Sequence, residues 1–349
     1  MAISPPIMTD IKDLSLDDLK AAFATMGEPG FRAVQVFDWL YKKGVDRFDT
    51  MKNLPSALRE KLGRSFNVGR IELEAVVRAC DGTEKYLFRL RDGPCIESVL
   101  IPSGRRLTLC LSTQAGCKFR CAFCASGRHG FLRDLTPSEI VGQVLFLKDN
   151  LEVKTTNLVF MGMGEPLDNF ENVARAIRIL NAPEGLGLAA RRMTVSTVGI
   201  VPAIARFKDL GLQVNLSISL HAADDAKRSR LLPVNATYPL DKVVAAVEDY
   251  IKGGGRKVTL EYVLLKGVND TAADAAGLAR IARRLKAKVN LIPYSPVSGF
   301  AFETPDSGRV ARFMTTLEET GVSATLRESK GRDIQAACGQ LAGRFNEGG

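Results

Sequence analysis

The chain has 349 residues, 46% hydrophobic and 25% charged, which is enough to fill a large core and excludes a mainly disordered or fibrous protein. Lys and Arg number 48 against 39 acidic residues, and the resulting charge of +9 favours a polyanionic partner. No apolar run approaches the roughly 20 residues that span a bilayer, and Met-Ala-Ile-Ser-Pro-Pro at the start has neither the basic nor the apolar region of a signal peptide. Seven cysteines, an odd number with three packed into one loop, point to the reducing cytoplasm rather than to a secreted disulfide scaffold.

Residues 1–68 read as short helices. Ser15 is a candidate N-cap, with Leu16, Leu19 and Phe23 at helical spacing, and a second apolar helix runs over 31–43 before Gly44. A third begins at Leu54-Pro-Ser-Ala-Leu. Such a bundle serves either as a nucleic-acid adaptor or as a cap on the core. From 69 to 102 the pattern becomes strand alternation, with Asp81-Gly82 and Asp92-Gly93 as hairpin turns, and Glu97 lies on the last of these strands. A strand glutamate ordinarily faces solvent.

Between 103 and 333, β-branched strands alternate with amphipathic helices. Six strands are predicted, over 107–112, 157–161, 192–196, 214–220, 257–264 and 289–293, followed by a helix over 307–321 and a strand over 323–327. Thr136-Pro-Ser-Glu139 reads as a capping box that opens the first intervening helix. Strand–helix alternation implies a parallel sheet, so the expected fold is α/β, a partial (β/α)6 barrel with its active residues at the C-terminal strand ends. A tail, 334–349, carries Cys338.

Ser112 to Phe131 holds Cys117, Cys121 and Cys124 in a C-x3-C-x2-C run just after the first predicted strand. Three thiolates on so short a loop can serve one metal centre, and Gly116 and Gly127 allow the turns that aim them. Four thiolates normally hold a four-iron cluster, so a missing fourth cysteine leaves one iron free to react. The rival centre is zinc in a non-enzymatic RNA-binding protein, with His129 as the fourth ligand. Phe119 or Phe123 is expected to keep water off the centre. Basic residues recur beside these loops, among them Arg105, Arg106, Lys118, Arg120, Arg128, Arg191, Arg192 and Arg327.

The C-x3-C-x2-C run is the signature of radical S-adenosylmethionine (SAM) enzymes. From about Asp81 onward the chain resembles the RlmN/Cfr family of radical-SAM RNA methyltransferases. The shared segments are Thr108-Leu-Cys-Leu-Ser, Met161-Gly-Met-Gly-Glu-Pro-Leu, Val195-Ser-Thr-Val-Gly, Ser219-Leu-His and Asp333-Ile-Gln-Ala-Ala-Cys-Gly-Gln-Leu. Pro166 in the second favours the RlmN branch, which modifies carbon 2 of adenine, over the Cfr branch, which modifies carbon 8.

The resemblance implies one [4Fe-4S] cluster on Cys117, Cys121 and Cys124, and two SAM molecules per methylation. It implies SAM contacts from Gly164, Glu165, Ser196, Ser219, Leu220, His221 and Ser295, although Ser295 stands where the family usually has asparagine. It makes Cys338 the methyl carrier, Cys110 the thiol that resolves the RNA adduct through a transient disulfide with Cys338, and Glu97 the proton acceptor. The implied substrates are adenosine 2503 of 23S rRNA and adenosine 37 of tRNA. The implied partner is a one-electron reductant such as flavodoxin or ferredoxin, and the expected state is a monomer. An isolated cysteine is ordinarily a core residue, so Cys110 and Cys338 discriminate this reading from other radical-SAM chemistry.

Overall fold

The computed structural model describes residues 8–128 and 130–343. The first residues, on which the signal-peptide reading rests, and His129, the fourth ligand of the zinc alternative, lie outside the described residues. Among the described residues no helix is long and apolar enough to cross a membrane.

The chain forms two compact units. One comprises the N-terminal residues up to Glu72 together with Leu135–Thr155 and Glu171–Ala189. Its helices are α1 (Leu16–Thr25), α2 (Gly30–Tyr41) and α3 (Ser56–Ser65), joined by α5 (Pro137–Leu151) and nearly all of α6 (Phe170–Asn181). The helix starts are those the sequence encodes. Ser15 and Asp18 form a reciprocal capping box on α1, and Thr136 and Glu139 form another on α5, with Pro137 in the first turn. Leu19, Phe23, Val36, Phe37 and Tyr41 are wholly buried, and the Phe37 and Tyr41 rings lie 4.4 Å apart. Packing of one apolar face, rather than helix propensity, holds such short helices.

The other unit is built on a ten-stranded sheet whose spatial order follows chain order. Its strands are β1 (Glu72–Arg78), β2 (Glu84–Arg89), β3 (Cys95–Ser103), β4 (Arg106–Cys110), β5 (Asn157–Phe160), β6 (Met193–Thr197), β7 (Asn215–Ser219), β8 (Thr259–Leu264), β9 (Lys288–Pro293) and β10 (Ala324–Leu326). From β4 to β10 every neighbouring pair is parallel. The six expected parallel strands are all present within two residues of their predicted ends, and the late strand β10 adds a seventh beside β9. β3 is antiparallel to β4 and β2 to β3, so the hairpins join the same sheet. Helical crossovers put helices such as α7 (Val201–Lys208), α9 (Leu240–Lys252), α10 (Ala272–Leu285) and α11 (Ser307–Glu319) between parallel strands.

Candidate active site

The cysteine loop leaves the C-terminal end of β4. Leu111 N–H donates to Val159 O at 2.8 Å, continuing the parallel ladder past Cys110. Gln114–Gly116 then pairs antiparallel with Phe131–Asp134 and closes the loop at its base. There Cys117 N–H donates to Gly130 O at 2.7 Å. Gly116 is obligatory at this crossing: its φ is +80°, and a Cβ would meet Gly130 O at 1.9 Å. Gly127 makes no such turn. It sits in the short helix α4 (Ala125–Arg128), where a side chain would press on the Arg120 backbone.

A cavity of about 140 Å³ opens above the strand ends. Cys117, Cys121 and Cys124 line it together with Gly164, Glu165, Ser196, Ser219, His221 and Cys338, residues from β4 to β7 and the tail. Leu220 and Ser295 are not brought to its wall. Leu220 is buried with its N–H on Glu261 O at 3.0 Å, and the Ser295 hydroxyl accepts from Arg332 Nε at 3.2 Å. An adjoining cavity of about 100 Å³ is lined by Cys110, Cys124, Arg327 and Cys338, so the tail thiol faces both the cysteine triad and Cys110. Cys110 and Cys338 are free thiols, and no disulfide is present among the described residues.

The tail is held there by its backbone. Ala125 N–H donates to Gly339 O at 2.7 Å, and Ser126 Oγ donates to Leu341 O at 2.6 Å. Glu97 is not the solvent-facing residue that its strand position suggests. It is buried, pairs with Lys85 Nζ at 3.1 Å, and accepts from the N–H groups of Ala342 at 2.8 Å and Gly343 at 3.3 Å.

Electrostatics follow burial. Desolvation pushes Cys110 and Cys117 up to about 12, and raises Cys121 and Cys124 too, so all four thiols are neutral as they stand, and a metal centre would displace the protons of Cys117, Cys121 and Cys124. Burial raises Glu165 to about 7 although Val198 N–H and Leu167 N–H donate to its two oxygens at 2.8 and 3.0 Å. His221 is lowered to about 3 by burial, so its ring is neutral. Val263 N–H donates to His221 Nδ1 at 3.0 Å, which places the ring proton on Nε2 as a donor. Phe123 packs edge-on against this ring at 4.9 Å and lines the cavity, as expected of a water-excluding residue. Arg228, fully buried, donates to Val198 O and to Asn235 Oδ1, both at 2.6 Å, and its charge acts on Cys121 and His221.

The structure brings Cys117, Cys121 and Cys124 to the wall of one cavity, and the zinc alternative, which needs His129, falls outside the described residues. A four-iron cluster fits, because each thiolate binds a different iron and the sulfurs need not meet at one point. Glu261 and Arg327 were not among the expected site residues. The signal for Glu261 was available, since it is the one charged residue in the apolar strand run Thr259-Leu-Glu-Tyr-Val-Leu264. Arg327 is legible in sequence as one of the basic residues, with Lys330 and Arg332, that stand near Cys338 and favour its thiolate.

A parallel α/β sheet carrying a three-cysteine loop at its first C-terminal strand end defines a radical-SAM enzyme. The family model described as the radical SAM superfamily matches residues 111–279. That of the ribosomal RNA large subunit methyltransferase N-terminal domain matches residues 9–68. The chain is 45% identical over 339 residues to the dual-specificity RNA methyltransferase RlmN of Syntrophotalea carbinolica, covering 96% of this chain and 90% of that protein. It is 43% identical over 338 residues to the RlmN of Geotalea uraniireducens, covering 97% and 98%. A crystal structure of a radical SAM methyltransferase from Sphaerobacter thermophilus superposes with a TM-score of 0.89 at 43% identity, covering 95% of this chain and 99% of that one. The chain belongs to the RlmN family of radical-SAM RNA methyltransferases.

Proposed function

We propose that this enzyme methylates carbon 2 of an adenosine in 23S rRNA, and of an adenosine in tRNA, through a methyl group carried on Cys338. Adenine carbon 2 is electron-poor, so direct transfer of a methyl cation from SAM fails there and radical addition is required. The observation that carries the reading is the position of Cys338, facing the triad of Cys117, Cys121 and Cys124 in one cavity and Cys110 in the next. Cys117, Cys121 and Cys124 would hold the four-iron cluster, which would supply one electron for cleavage of a bound SAM to a hydrogen-abstracting radical and would take one electron back when the base is released.

The chain's own residues then have the following roles. Cys338 takes a methyl group from one SAM by displacement, with Arg327 as the adjacent cation. After loss of a hydrogen atom, the Cys338 methylene carbon bonds to the base. Cys110, giving up its proton, attacks the Cys338 sulfur; the carbon–sulfur bond breaks, the methylene carbon takes up a proton, the adduct's unpaired electron is given up, and the methylated base leaves as a Cys110–Cys338 disulfide forms. Glu97 accepts the proton lost from carbon 2, and external thiols reduce the disulfide. Gly164, Glu165, Ser196, Ser219 and His221 hold SAM, with His221 Nε2–H as a donor. The tail must release Glu97 for that proton transfer, because Ala342 and Gly343 occupy its carboxylate at rest.

The N-terminal helices act as the RNA adaptor. A flavodoxin- or ferredoxin-type carrier supplies the electron, and the reducing cytoplasm keeps the thiols available. The test is Cys110→Ala purified anaerobically from cells. RNA covalently attached at Cys338 is expected, and its attachment point on the base reports the carbon chosen. An iron–sulfur spectrum without attached RNA would overturn the methyl-relay reading.

A further inference from the structure

Glu261 lies in the middle of β8, 4% exposed, and is not used by the mechanism above. Its Oε1 accepts from Asn290 Nδ2 at 3.1 Å, while its Oε2 is buried without a hydrogen bond of good geometry, the Arg327 guanidinium standing 3.9 Å away and the Ser217 hydroxyl lying beside the carboxylate. Leaving a buried carboxylate oxygen unpaired costs on the order of 1–3 kcal/mol, so such an atom calls for a ligand that completes it. Glu261 lines the cysteine cavity and also a larger one of about 930 Å³ on the same sheet. Barrel interiors are ordinarily filled by Val, Ile and Leu. The larger cavity instead has Thr108, Thr194 and Ser217 on its wall, with Arg106, Arg192 and Lys288 among its lining. A polar, cation-lined space of that size admits a nucleotide, its phosphate on the basic residues and its base toward Glu261.

We propose that Glu261 reads the target base, its Oε2 accepting a hydrogen bond from the exocyclic amine of adenine while Asn290 holds the carboxylate in place. Burial raises the Glu261 carboxyl and the Arg327 charge opposes that rise; in its ionised form the carboxylate only accepts, so it selects the amine of adenine and rejects the carbonyl that guanine presents at the same edge. The inference rests on the substrate reading above.

The test compares RNA stem-loops carrying adenosine or purine ribonucleoside at the target position, the latter lacking only the amine. Wild-type enzyme should favour the adenosine RNA by about 10- to 100-fold in kcat/KM, the usual range for one hydrogen bond to a charged group. In Glu261→Ala that ratio should fall to about 1, through loss on adenosine RNA alone, and Glu261→Gln, which keeps one acceptor oxygen, should restore part of it. Iron content, thermal unfolding and SAM affinity are measured on each variant. Equal loss on both RNAs, or a fall in SAM affinity that accounts for the loss, overturns the inference and leaves Glu261 as the counter-ion of Arg327 or a SAM contact. Wild-type enzyme that fails to methylate the adenosine RNA overturns the substrate reading, and this inference with it.

Discussion

Gly164 offers a perturbation whose size can be worked from the structure. Its φ is +96°, and a Cβ there would stand 2.5 Å from Gln114 Cβ and 2.8 Å from Gln114 N. Gly93 has a similar φ of +107° with nothing within 4 Å, so it isolates the backbone cost. Gly93→Ala should therefore cost about 1–2 kcal/mol, the penalty for a side chain in the left-handed region. Gly164→Ala adds overpacking of about 1–3 kcal/mol, for a total of about 2–5 kcal/mol. The second loss also reaches the site, because Gln114 Oε1 accepts from Glu165 N–H at 2.9 Å and Gln114 Nε2 donates to Asp134 and Asp168 at 2.8 and 2.9 Å. Urea unfolding at matched iron content, with SAM affinity measured by calorimetry under anaerobic conditions, separates the two effects. SAM affinity should fall in Gly164→Ala and hold in Gly93→Ala. Equal stability losses with equal SAM affinities would refute the packing argument.

Four further outcomes are expected. Glu165, raised by burial to about 7 from an unfolded value near 4.5, binds its proton more tightly when folded. Stability should therefore fall on the order of 3 kcal/mol as pH rises from about 4.5 to about 7 and then level off, a slope that Glu165→Gln removes. His221, lowered to about 3, works in the opposite sense, and stability is lost as pH falls from about 6.5 toward 3; pH-dependent urea titrations of Glu165→Gln and His221→Gln should show the two slopes separately. Asn269, wholly buried, accepts from Leu265 N–H at 2.7 Å and donates to His221 O and Val263 O at 2.8 and 2.7 Å, so Asn269→Ala should destabilise by about 2–4 kcal/mol in urea and weaken SAM binding. Glu97→Gln keeps an acceptor for the tail but cannot take a proton; turnover should collapse while hydrogen exchange at Ala342 and Gly343 stays slow, whereas Glu97→Ala should speed both amides.

Much of this was legible in the chain itself. The α/β class, the six strands and the capped helix starts depend on local periodicity and on short side-chain–backbone bonds, which sequence encodes directly. The triad was equally plain, because the spacing of Cys117, Cys121 and Cys124 keeps them on one loop wherever the rest of the chain goes. What tertiary structure decided depends on contacts between residues far apart in sequence. Glu97 became buried because the tail crosses it and closes its carboxylate with backbone N–H groups. Ser295 turned to Arg332, and His221 took its donor tautomer from a neighbouring strand's N–H. Glu261 acquired an unpaired oxygen because β7 and β9 bring Ser219 and Asn290 into register beside it, while Arg327 stays out of hydrogen-bond reach. Sequence fixes which groups are present and their local geometry, whereas the packing of distant segments decides which of those groups are desolvated, which are satisfied, and which are left to meet a ligand.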